Sequence, residues 1–101
     1  MEWKPATIES VKQIVQDDLA KCNVEQTRAF DAYRVEPYIA PIVRSGTLES
    51  AVVVARKGGH VIYWEDVEEG FGVSAVGADG QILESDSSQN DLGVALNSWI
   101  K

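Results

Sequence analysis

The sequence predicts an α+β domain: an antiparallel meander sheet of three to five strands with an N-terminal and a C-terminal helix packed on it, in two layers. Three observations predict it. Between Ser50 and Glu84, the apolar runs AVVVAR, HVIYWE, FGVSAV and QILE are separated by KGG or by Gly- and Asp-rich stretches. Such punctuation marks hairpin turns. Ile8, Val11, Ile14, Val15, Leu19 and Cys22 recur at helical spacing near one terminus, and Leu92, Ala95, Leu96, Trp99 and Ile100 do so near the other. A chain of 101 residues has room for one domain, residues 1–101, around one core.

The first helix is expected over Thr7 to Cys22. Thr7 is its N-cap, Glu9 adds favourable charge to its first turn, and Asn23 marks its exit because Asn tolerates a left-handed backbone. From Val24 to Arg44 two readings stay open. Gln26 to Arg34 fits a second helix with Ala29, Phe30 and Tyr33 inward, and it also fits an irregular strand. Pro37 and Pro41 exclude a central strand, so Tyr38 to Arg44 reads as an edge strand or extended segment. Ala51 to Arg56 is continuously apolar before its Arg, which predicts a strand covered on both faces. Gly58-Gly59 supplies a tight turn. His60, Ile62 and Trp64 then alternate with Val61, Tyr63 and Glu65. In the third run Phe71, Val73 and Ala75 point inward, with Gly72 and Ser74 forming a small-residue floor on the opposite face. Asp79-Gly80 turns the chain into Gln81 to Glu84. The last helix is expected from about Ser88, with Asp91 in a box-like capping arrangement and with Gly93 marking a close approach to the sheet.

The net charge of −7 is unevenly placed. Met1 to Lys57 holds eight acids and eight bases, whereas Gly58 to Ile100 holds eight acids and no Lys or Arg. One-signed acidity repels nucleic-acid phosphates and anionic lipid and attracts cations or basic proteins. No apolar stretch approaches the roughly 20 residues that span a bilayer. MEWKPATIES lacks the apolar core of a signal peptide. The expectation is therefore a cytoplasmic, bacterial-type protein that binds neither nucleic acid nor membrane.

Enzyme motifs are missing. The chain has no GxGxxG, P-loop, GxSxG or HExxH pattern. His60 is its only histidine and Cys22 its only cysteine, which excludes an intrachain disulfide and a multi-histidine or Cys-rich metal site. Nothing calls for a cofactor. Nothing aligns Cys22 with His60 as a catalytic pair.

The sharpest stretch runs from Tyr63 through Trp64, Glu65, Asp66 and Val67 to Glu68 and Glu69. Two aromatics with polar handles meet four carboxylates within five residues. Tyr and Trp are favoured interface anchors, and clustered carboxylates gain from a basic partner. A plain solvated turn with core aromatics accounts for the same residues, and the spacing lacks an EF-hand pattern. A second acidic group is Glu84, Asp86 and Asp91. A meander can bring it to the same end of the sheet as the first. The sequence thus predicts a small, acidic, non-catalytic module that binds a basic protein, in the manner of an acidic inhibitor or immunity protein. Two rivals stand beside it. One is a small-molecule-binding or enzymatic domain with a pocket between helices and sheet, floored by Gly72 and Ser74. The other is a structural homodimer joined through sheet edges or exposed apolar strand faces.

Overall fold

The computed structural model describes residues 7–44, 47–65, 69–83 and 90–100. Its elements are α1 (Ile8–Leu19), α2 (Val24–Tyr33), β1 (Arg34–Arg44), β2 (Thr47–Lys57), β3 (His60–Glu65), β4 (Gly70–Ala75) and α3 (Leu92–Asn97). The strands form one antiparallel sheet in the order β1-β2-β3-β4. This is the predicted α+β meander, with helices before and after it.

Local chemistry explains the helix boundaries. Thr7 caps α1: its side chain accepts from the Ser10 amide while Ser10 Oγ accepts from the Thr7 amide, both at 3.0 Å. Asn23 does not end α1 in a left-handed conformation. It has extended backbone (φ −81°) and caps α2, accepting from the Gln26 amide at 2.8 Å while Gln26 Oε1 accepts from the Asn23 amide. The short polar side chain at 23 thus starts the second helix. That settles the two readings of this region in favour of helix.

β1 is an edge strand, as its prolines require, but it begins earlier than expected. Its pairing with β2 slips between Arg34 and Tyr38. Pro37 sits in that irregularity, where a missing amide costs no ladder bond. A second slip between Val53 and Ala55 puts an extra residue into β2.

β2 is covered on both faces, as its unbroken apolar run predicts. Val52, Val54 and Ala55 join Ile62 and Phe71 beneath the helices, packed with Val11, Phe30, Leu96 and Trp99. Ala51 and Val53 face the other way, with Ala40, Ile42, Val61, Tyr63 and Ile82. This second core is closed by the chain after β4. Ile82 bridges both Ile42 of β1 and Val76 just beyond β4. Its amide donates to the Pro41 carbonyl at 2.8 Å, and the Leu83 amide donates to the Ala75 carbonyl at 3.0 Å. One short segment therefore reaches both edges of the sheet and curls it around a second apolar interior.

α3 starts later than predicted. Asp91 is its N-cap residue, but the Asp91 side chain makes no capping bond. Instead Asp18 of α1 supplies the acceptor: Leu92 N–H donates to Asp18 Oδ2 at 3.0 Å. Ser88, expected near the helix start, lies outside the described residues. Gly93 approaches α2 rather than the sheet. A Cβ there would lie 3.0 Å from Gln26 Nε2, which donates to the Gly93 carbonyl and to Asn97 Oδ1.

Candidate functional site

The four strands run between two ends of the sheet. One end holds the β2–β3 turn, the start of β1 and the finish of β4. The other holds the β1–β2 and β3–β4 turns. Phe71 and Asn90 exchange backbone hydrogen bonds, Phe71 N–H to Asn90 O at 2.9 Å and Asn90 N–H to Phe71 O at 3.3 Å. The start of α3 is thereby fixed beside the β3–β4 turn. Asp91 and Glu69 stand at this same end, and both are exposed. Asp18, bonded to the α3 start, adds a third carboxylate that sequence reasoning missed. Its only sequence signal is its place in the last turn of α1.

The expected aromatic anchors are used internally. Tyr63 is 1% exposed and lies in the second core. Trp64 is half-buried on the helix side, edge-on to Phe71 with ring centroids 5.1 Å apart. Glu65 is 1% exposed, and it points with Tyr63 and Val61 toward the second core. The alternation that places Glu65 opposite Trp64 in the sequence is what buries it. Tyr63 and Glu65 therefore present no surface to a partner in this conformation. Asp66, Glu68, Glu84 and Asp86 lie outside the described residues.

Glu49 joins this interior from β2. It shares a strand face with Ala51 and Val53, and its Oε2 is buried without a hydrogen-bond partner. The sequence signal was its spacing of two from Ala51. Glu69 carries a different mark. Its φ is +51°, the only positive value at a described non-glycine residue. Left-handed backbone costs an L-residue roughly 1–2 kcal/mol, and Gly would remove that cost. A carboxylate is thus held in the turn at some expense to the fold.

The small residues of β4 lie away from the helices. Gly72 pairs with Tyr63 and Ser74 with Val61, so they line the second core. Ser74 Oγ donates to the Leu83 carbonyl. They floor no pocket between helices and sheet. Cys22 and His60 stand at opposite ends of the sheet. His60 is exposed beside the β2–β3 turn. Cys22 lines a cavity of about 150 Å³ with Asp18, Gln26 and Asp91. Burial first, then the carboxylates of Asp18 and Asp91, push the Cys22 thiol above its ordinary pKa. A thiol so placed is a poor nucleophile. Among the described residues no group of three His, Cys, Asp or Glu side chains is arranged to hold a metal.

Among the described residues no helix is long and apolar enough to cross a membrane. Comparison with family models, with curated proteins and with solved structures finds no match for this chain.

Proposed function

We propose that the protein is a non-catalytic binding module that takes a basic protein partner at the acidic end of its sheet. The observation that carries this reading is the Phe71–Asn90 pairing. It joins the β3–β4 turn to the start of α3, and so brings Glu69 of the first acidic group to the same end as Asp91 of the second. The Asp91 carboxylate is spent on no cap, and Glu69 occupies a left-handed backbone position that costs any residue with a Cβ. Strained residues that persist against their cost cluster at functional positions. The stretch from Gly58 to Ile100 contributes no Lys or Arg to offset these acids. With Tyr63 and Glu65 buried, contact falls to the exposed carboxylates and to the accessible part of Trp64. That favours electrostatic steering and partner discrimination. The reading places the protein in the cytoplasm, away from nucleic acid and membrane.

Affinity isolation from the cells that make the protein tests it. A basic protein should be retained at low salt. It should be released at about 1 M, where the Debye length is only about 3 Å. Retention that ignores salt, or the recovery of no basic protein, contradicts the proposal.

A further inference from the structure

The slip in β1 has a second result. Between Arg34 and Tyr38 the strand leaves its regular pairing with β2, and a groove of about 420 Å³ opens between α1, the end of α2 and this part of β1. Val15, Leu19, Phe30 and Val54 are among its lining residues, and three of these belong to the buried core beneath the helices. The floor is thus continuous with the main core and is rigid. The rim is polar and comes from two elements: Lys12 and Gln16 of α1, and Arg34 and Glu36 of β1.

The rim charges set the chemistry. Two cations and one carboxylate give a local excess of positive charge in a chain whose net charge is −7. Lys12 has the closer partner: its Nζ lies 2.9 Å from Glu36 Oε1, and that contact raises its pKa. Arg34 is held differently. Its guanidinium lies 4.9 Å from the centroid of the Phe30 ring at the groove floor. Its ion pair with Asp31 is long, 3.6 Å, and more than half exposed on both sides. Such a pair contributes little, so Arg34 can turn its fork to another carboxylate. Phosphate would call on a second cation, and Lys12 sits closer to its own carboxylate, 2.9 Å, than Arg34 does to Asp31, 3.6 Å.

We infer that this groove binds a small amphiphile with an apolar body and one carboxylate, the body on Val15, Leu19, Phe30 and Val54 and the carboxylate on Arg34. The volume lies within the range of small-ligand sites, and the lining joins a polar rim to the tops of buried apolar side chains. This site is separate from the acidic end of the sheet and does not depend on a protein partner there.

Octanoate below its micelle concentration is the probe, followed by the methyl NMR signals of Val15, Leu19 and Val54 in the full chain. Octanol, of equal chain length without the charge, is the comparison. Octanoate should shift these signals and bind about tenfold more tightly than octanol. Arg34→Met, which keeps the side-chain stem, should remove that difference. Gln16→Trp, at an exposed rim position that α1 tolerates, should fill the groove and abolish both. Equal binding of octanoate and octanol to the unaltered chain overturns the inference. So do shifts that survive Gln16→Trp, or no shift at millimolar octanoate.

Discussion

The two ends of the sheet are built from the same strands and handle charge in opposite ways. At the β2–β3 end the two cations that close β2, Arg56 and Lys57, are tied to neutral partners. Lys57 Nζ lies 5.2 Å from the Tyr33 ring centroid and 3.5 Å from the Trp99 carbonyl, and Arg56 Nε donates to the Gly58 carbonyl at 3.1 Å. At the β3–β4 end the carboxylates of Glu69 and Asp91 are exposed, and Glu49 and Glu65 turn inward. The cationic end is anchored by its own side chains. The anionic end is anchored by backbone, through Phe71 and Asn90, which leaves its exposed charges available.

The largest effect should come from truncating the buried side chain beneath the acidic end. Phe71 is fully buried, and its backbone holds Asn90. Phe71→Ala should cost about 3–5 kcal/mol in denaturant unfolding. Ile39→Ala, at a side chain 60% exposed on the edge strand, should change stability by less than about 0.5 kcal/mol. Similar costs for the two would mean that the Phe71 core is not formed as described.

The junction of α2 and α3 offers a sharper test. Gly93→Ala should gain helix propensity of about 1 kcal/mol, but its Cβ meets the Gln26 amide at 3.0 Å. Three hydrogen bonds hold that amide group in place. We expect Gly93→Ala to lower stability by about 1 kcal/mol and to raise it in a Gln26→Ala background, a coupling read by a double-mutant cycle. Equal effects in both backgrounds would remove Gln26 as the cause. The turn itself should respond more weakly. Glu69→Gly should stabilise by about 0.5 kcal/mol, the left-handed strain relieved less the added freedom of the unfolded chain. Glu69→Val should destabilise, because a branched residue tolerates positive φ poorly.

The smallest effect concerns Cys22. Its folded thiol holds its proton more tightly than an unfolded one. Its contribution to stability is therefore whole below the ordinary thiol pKa and fades as pH rises through the raised value. At about pH 8 iodoacetamide should modify it more slowly in the native protein than in the unfolded chain. Equal rates would contradict the burial that shifts it.

The sheet was legible in the sequence because apolar runs and turn residues are local signals. The alternation of β3, the two-sided burial of β2 and the Thr7 cap follow from spacing alone. Three features were not legible, each for a long-range reason. Asn23 suits a helix exit or a helix start, and only the Gln26 amide decides. Gly93 meets Gln26, 67 residues away in sequence. Glu65 sits in a charged run, yet strand alternation carries it inward with Tyr63, because the sheet curls until Ile82 touches both edges. Of the three expected acidic residues that are described, Glu65 is interior and Glu69 and Asp91 are exposed.

The central claim is that the acidic end, rather than acidity in general, binds. Two pairs of neutralising changes add the same charge at opposite ends: Glu69→Gln with Asp91→Asn, and Asp31→Asn with Asp79→Asn. The measurement is the dissociation constant for the basic protein retained at low salt, taken with each pair. The account predicts about a tenfold or greater loss for the first pair, some 1.4 kcal/mol, and little change for the second. Equal losses from both pairs would reduce the attraction to net charge and contradict it.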